Sequence, residues 1–148
     1  MSTVVICSGG LDSVTLAWKV FKENKLDLLL SYDYGQRHRK EIDYARVCSE
    51  LLNVSHKIID LSDAGNALSG SALTDDVDVP DGHYAHENMK VTIVPNRNAI
   101  MLAVAYGVAA AMGSQRVATA VHGGDHFIYP DCRPDFIHAF ESMQNYAL

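Results

Sequence analysis

"TVVICSGGLDSVTLAWKVFKEN", Thr3 to Asn24, decides how the rest of the chain is read. Its opening, Thr3 to Cys7, is a continuous β-branched and apolar run, the pattern of a strand buried on both faces. From Asp12 to Asn24 the apolar residues Val14, Leu16, Ala17, Val20 and Phe21 recur at helical spacing. Between strand and helix lies "CSGGLDS", Cys7 to Ser13. Gly9 and Gly10 let the backbone turn tightly and bring its N–H groups close to an anion. Ser8 and Ser13 add hydroxyl donors, and the helix aims its positive end at the same place. The ordinary alternative is a helix start with Asp and Ser as caps; the preceding strand and the paired glycines favour the anion site.

This turn has no lysine, and neither GxxxxGK[ST] nor GxGxxG occurs in the chain. Asp12 is the discordant residue. A carboxylate beside bound phosphate repels it unless a cation lies between. The turn therefore predicts Mg²⁺ bridging Asp12 and nucleotide phosphates.

Outside this stretch, composition sets bounds. A chain of 148 residues, 48% hydrophobic and 20% charged, is expected to form one domain over residues 1–148. The net charge of −6 argues against direct nucleic-acid binding, which needs clustered Lys and Arg; "RHRK", Arg37 to Lys40, is too short to reverse that. Cys7, Cys48 and Cys132 form no CxxC pair, and so sparse a set suggests a reducing cytoplasm. The most apolar run, Ala99 to Met112, is shorter than the ~20 residues a membrane span needs and reads as a buried helix. The N-terminus carries no signal-peptide pattern.

Along the chain, strands are expected at Leu26 to Tyr32, Val54 to Leu61 and Arg116 to Val121, with a helix at Glu41 to Leu52. Ser62 to Met89 is rich in Gly, Asp, Ser and Asn and reads as a long loop, with His83 and His86 on a solvated lid. "KVTIVP" reads as extended, Asn96 as the N-cap of a helix from Arg97 to Met112, and Gly113 as its stop. Pro134 suits the first turn of a last helix. Strands alternating with helices predict an α/β fold, a doubly wound parallel sheet with helices on both faces. Ligands of such sheets sit beyond the carboxyl ends of the strands. The unusual segments, Ser8 to Ser13, Tyr34 to Arg39 and His122 to Arg133, fall there together.

"SGGLDS" after a strand resembles the PP-loop of ATP pyrophosphatases, which cleave ATP between the α and β phosphates and activate a substrate as its adenylate. "DYGQRHRKEID" (Asp33 to Asp43), "VPNRN" (Val94 to Asn98) and "HGGDHFIYPDCRPDFI" (His122 to Ile137) together resemble the 7-cyano-7-deazaguanine synthase family in order and spacing. The resemblance implies an adenine nucleotide alpha hydrolase-like fold of the HUP type. It implies an ATP-dependent carbon–nitrogen ligase. Such an enzyme converts 7-carboxy-7-deazaguanine and ammonia to the nitrile 7-cyano-7-deazaguanine, for queuosine and related deazapurines.

Carried onto this chain, the resemblance assigns ATP to the loop residues Cys7, Ser8, Gly9, Gly10, Leu11, Asp12 and Ser13 and to Val14, Thr15, Leu16 and Ala17 at the start of the helix. Asp12, Arg37 and Arg97 are the candidate catalytic residues, the arginines to neutralise phosphate or carboxylate charge. Candidate substrate contacts are Gln36, Arg37, His122, Asp125, Tyr129, Asp131 and Arg133. Each has a plain alternative: surface ion pairs for the arginines, an Asx turn or helix cap for Asp125 and Asp131, a core plug for Tyr129, and a loop hydrogen bond for His122. Cys132 lies in the motif with no base paired to it, and Cys7 counts as a small core residue.

The family chain continues into four cysteines that bind a structural Zn²⁺; no zinc ligand is found in this sequence. Phe136, Ile137, Phe140, Met143 and Ala147 still mark an apolar helix face at its last residues, so it reads as cut off rather than ended. The fourth strand is expected to present an open edge, an invitation to homodimer formation. Competing readings are another PP-loop enzyme, such as a tRNA thiolase or lysidine synthetase, and a non-catalytic ATP-binding fragment or subunit.

Overall fold

The computed structural model describes residues 1–35, 40–68, 95–121 and 130–148. The chain forms two compact units. The first holds Met1–Asp33, the described part of His38–Leu61, and Met101–Ala120. The second holds the described parts of Tyr34–Arg37, Ser62–Ile100 and Val121–Leu148.

The first unit is built on a four-stranded sheet, all parallel, in the order β3-β2-β1-β4. β1 (Thr3–Ile6) and β2 (Leu26–Asp33) are its central strands; β3 (Ser55–Asp60) and β4 (Arg116–Ala118) flank them. Val4 pairs with Leu28, Val5 with Leu29 and Ile6 with Leu30, and all six side chains are buried. Removing such side chains from water stabilises the fold by about 1.5–3 kcal/mol each. This is why both strands are centred on apolar runs, Val4–Ile6 and Leu28–Leu30, while β3, with one neighbour among the described residues, is not.

Helices cover both faces. α1 (Leu11–Lys22) and α2 (Lys40–Leu52) bury Ala17, Val20, Ala45, Cys48 and Leu52 against Val5, Cys7 and Leu29. On the opposite face of β2, the Tyr32 hydroxyl donates to the Met101 carbonyl of α4 (Arg97–Met112) at 2.5 Å. Within α4, Leu102, Ala105 and Ala109 are buried at helical spacing. The helix expected to be buried is so along this face, while Ala103, Gly107, Ala110 and Ala111 on its other side are exposed. Small side chains leave little apolar area on that side, so an Ala-rich run tolerates water.

Three helices end in the same way. Asn24, Asn53 and Gly113 have positive φ of 56°, 50° and 75°. The N–H of each reaches back three residues, and the N–H of the next residue, Lys25, Val54 or Ser114, reaches back five. This double return is the Schellman motif, and it turns the chain directly toward the next strand.

The second unit holds α3 (Ser62–Ala67), α5 (Pro134–Ala147) and a 3-10 turn at Pro130–Cys132. Ser62–Ala67 corrects the reading of a loop from Ser62. A Cβ on Gly65 would overlap the Tyr34 carbonyl, so the helix docks on the backbone at that point. Pro134 sits in the first turn of α5, as expected, behind the extended Arg133. β4 is shorter than the expected strand to Val121. The remainder of the Ser62–Met89 loop, with His83 and His86, and "KVTIV" before Pro95 lie outside the described residues.

Candidate nucleotide site

Parallel strands put the carboxyl ends of β1, β2 and β4 on one edge of the sheet. β1 lies between β2, which follows it through α1, and β4, which comes last. The order of connection reverses at β1, and the loop that leaves β1 stands where such sheets bind ligands.

That loop is held by its own serines. The Ser13 hydroxyl accepts from the N–H of Ser8 at 3.1 Å and of Gly9 at 3.3 Å, and lies 3.1 Å from the Gly10 carbonyl, to which it donates. The Ser8 hydroxyl, 3.1 Å from that of Ser13, accepts from the Gly10 N–H at 3.3 Å. Ser13 is buried and Ser8 exposed. The first helical N–H groups of α1, at Leu11, Asp12 and Ser13, have no partner within the helix ladder, and the positive end of the helix dipole lies there. Asp12 is exposed in this first turn. A single carboxylate fits Mg²⁺, which keeps several waters and takes its other ligands from phosphates.

Gly9 meets a second demand. Its φ is +94°, and a Cβ there would overlap the Glu41 carbonyl in the first turn of α2. Gly10, at φ −71° and ψ 165°, has ordinary extended backbone. Among the described residues, a Cβ on it would meet only the Ser8 hydroxyl, at 3.4 Å. The two adjacent glycines therefore have different reasons to be there, which their adjacency conceals.

The other loop residues divide by side chain. Cys7 is fully buried in the core with Ala17, and Val14 and Leu16 pack against that core, so each can offer a ligand only its backbone. Burial pushes the Cys7 thiol above its ordinary value, with its polar neighbours Gly9, Ser13 and Cys48 opposing the rise. Cys48 is raised by burial and by Cys7. Both stay as neutral thiols, poor nucleophiles and poor metal ligands. Leu11 is exposed; Thr15 is exposed and donates to the Leu11 carbonyl at 2.8 Å.

Beneath the loop lies a polar pair that sequence reasoning missed. Ser31, in the apolar run of β2, donates to the Cys7 carbonyl at 2.5 Å, and its oxygen lies 2.8 Å from His56 Nε2 on β3. Burial, then Arg46, holds His56 below the usual histidine range. The available signal was a serine inside "LLLSY" and a histidine at an inward position of the next strand.

In the second unit, the start of α4 and the Pro130–Cys132 turn are locked together. The Asn98 N–H donates to Asp131 Oδ2 at 2.7 Å. Its amide Nδ2 lies 3.1 Å from both the Asp131 carbonyl and Cys132 Sγ. The capping expected of Asn96 is thus performed by a carboxylate 33 positions away. Asn96 itself has φ 61°, unlike the extended backbone of an ordinary N-cap. The Tyr34 hydroxyl donates to the Arg97 carbonyl at 3.4 Å. Burial pushes Tyr34 up to about 12, with Asp131 adding to the rise and Arg97 opposing it. Of the candidate substrate residues, Asp131 stands in this lock, and Arg133 is exposed as the N-cap residue of α5. Arg97 is half-buried at the first position of α4. Gln36, Arg37, His122, Asp125 and Tyr129 lie outside the described residues. Among the described residues no three His, Cys, Asp or Glu side chains converge as a metal site, so no role is derived for Zn²⁺. No helix among them is long and apolar enough to cross a membrane.

Comparison with known proteins decides the family. Residues 2–148 match the profile of the family described as queuosine biosynthesis protein QueC. The chain belongs to the QueC family. It is 69% identical over its whole length to the 7-cyano-7-deazaguanine synthase of Rhizobium meliloti and covers 63% of that relative. Identity is 66% to the protein of the same name from Brucella anthropi and 68% to that from Brucella ovis, with 64% of each covered. This QueC-family chain thus spans less than two thirds of the length of the curated relatives it matches.

Proposed function

We propose that the chain is the nucleotide-binding domain, residues 1–148, of an ATP-dependent ligase that makes 7-cyano-7-deazaguanine from 7-carboxy-7-deazaguanine and ammonia. The observation that carries the reading is the lysine-free Ser8–Ser13 loop at the carboxyl end of β1, in a chain that matches the QueC family from residue 2 to 148. In the proposed mechanism the loop N–H groups and the α1 N-terminus hold the β and γ phosphates. The α phosphorus is then open to attack by the substrate carboxylate. The bond from the α phosphorus to its bridging oxygen breaks, and pyrophosphate leaves in the loop. Ammonia adds to the acyl adenylate, AMP leaves, and an amide results. The amide oxygen attacks the α phosphorus of a second ATP, pyrophosphate leaves again, and loss of AMP with both amide protons leaves the nitrile. Asp12 would hold Mg²⁺, which would supply neutralisation of phosphate charge.

Arg37 and Arg97 are the proposed partners of negative charge during transfer. Gln36, His122, Asp125, Tyr129, Asp131 and Arg133 are the proposed substrate contacts. The reading includes a cytoplasmic setting and no direct nucleic-acid partner, supported by the net charge of −6. It also includes a homodimer formed through the outer edge of β4, which has one neighbour among the described residues.

The test is mass spectrometry of the purified chain with ATP, Mg²⁺, ammonium and 7-carboxy-7-deazaguanine. Nitrile formed together with AMP is the expected result, and Asp12→Ala should abolish it while leaving the fold intact. Full turnover in that variant would remove Asp12 from the mechanism. The coverage of only 63–64% of the relatives favours one second reading, an ATP-binding portion without activity of its own. ATP binding by a folded chain without product would select it.

A further inference from the structure

We propose that His56 and Ser31 are positioning residues for the phosphate loop: a hydrogen-bonded chain from His56 through the Ser31 hydroxyl holds the Cys7 carbonyl and thereby aims the Ser8 N–H. What the loop binds rests on the function proposed above; the positioning itself does not.

The donors can be assigned without ambiguity. A carbonyl only accepts, so the single hydroxyl proton of Ser31 goes to the Cys7 oxygen, 2.5 Å away. Toward His56 the Ser31 oxygen must then accept, and the proton in that 2.8 Å contact belongs to Nε2. The register permits the reach. His56 pairs with Leu29, which places it diagonally from Ser31 on the same face of the sheet. Ser31 is 1% exposed and Cys7 is 0%, so water cannot replace either partner cheaply.

The Cys7 carbonyl and the Ser8 N–H belong to one peptide group, which is planar, so the two point in opposite directions. The carbonyl side is held by Ser31 and the N–H side by the Ser13 hydroxyl at 3.1 Å. Rotation of this plane would break both bonds at once. It is the first peptide beyond β1, and the next N–H, of Gly9, shares the Ser13 oxygen at 3.3 Å. Sheet and helix thus clamp the loop at its root from opposite sides. An apolar residue at position 31 would fill the same volume and continue the run of β2, but would leave the carbonyl unheld. This gives a polar residue in that strand a purpose beyond packing.

The experiment uses the whole chain. Amide hydrogen exchange is measured without nucleotide at Ser8, Gly9 and, as a mid-sheet reference, Leu29; the MgATP dissociation constant is measured by calorimetry. Ser31→Ala and His56→Ala should speed exchange at Ser8 tenfold or more, leave Leu29 within twofold of wild type, and weaken MgATP about tenfold. Ser31→Thr, which keeps the hydroxyl, should restore both values. Unchanged exchange at Ser8 overturns the proposal. So does equal acceleration at Leu29, which would show only global loosening, and so does failure of Ser31→Thr to restore the loop. Unchanged MgATP affinity despite a loosened Ser8 amide also overturns it. A wild-type chain that binds no MgATP would instead refute the nucleotide reading, while the Ser8 exchange still decides the positioning.

Discussion

Replacing Gly9 and Gly10 by alanine, one at a time, separates what the fold needs from what a ligand needs. At Gly9 the φ of +94° disfavours an L side chain, and the new Cβ would overlap the Glu41 carbonyl of α2. Left-handed strain costs roughly 1–2 kcal/mol, and overpacking adds roughly 1–3 kcal/mol. A sum of about 2–5 kcal/mol is a large part of the 5–15 kcal/mol that holds a domain together. For a chain of this size it should lower Tm by roughly 5–20 °C. At Gly10 the backbone is already extended and, among the described residues, the new methyl meets only the Ser8 hydroxyl at 3.4 Å. The fold should be unharmed there, and even steadier by about 0.4–1 kcal/mol, because alanine restricts the unfolded chain. A methyl beside the loop N–H groups would nevertheless hold phosphate oxygens away. A loss of two hydrogen bonds to charged phosphate, about 1.5–3 kcal/mol each, corresponds to at least a hundredfold weaker ATP binding. Thermal melts and calorimetric titration with MgATP read both effects. Gly10→Ala that melts normally and binds ATP like wild type would refute the backbone cradle. Gly9→Ala that melts like wild type would refute the contact with α2.

Other predictions follow from buried polar groups. Asn98→Ala should destabilise the chain by about 1–3 kcal/mol, since its amide holds the Asp131 carbonyl and Cys132 inside the second unit; chemical denaturation measures it. His56, held below its ordinary value by burial, binds its proton more weakly in the folded state. Stability should therefore fall as pH drops below about 6.5, through the window between the unfolded and folded values, and His56→Gln should flatten that slope. Tyr34, raised to about 12, should ionise later than an ordinary tyrosine, and the last step of the absorbance titration should vanish in Tyr34→Phe. Its raised value also means that stability linked to Tyr34 is present below about pH 10 and is lost as pH climbs toward the folded value.

The sequence by itself determined the order of the strands and of every helix but α3, the parallel α/β class and the loop at Ser8–Ser13. These follow from local signals that survive in one dimension: apolar runs for strands buried on both faces, helical spacing in α1 and α2, and punctuation by Gly113. Tertiary structure alone decided which polar residues serve each other. Asp131 caps α4 rather than its own neighbourhood, the helix Ser62–Ala67 docks on Tyr34, and Gly9 makes room for Glu41. Ser31 and His56 stand 25 positions apart and meet only because β2 and β3 pair in one register. Periodicity records which face of an element is apolar; it carries no record of which distant backbone group will need a donor once that face is buried.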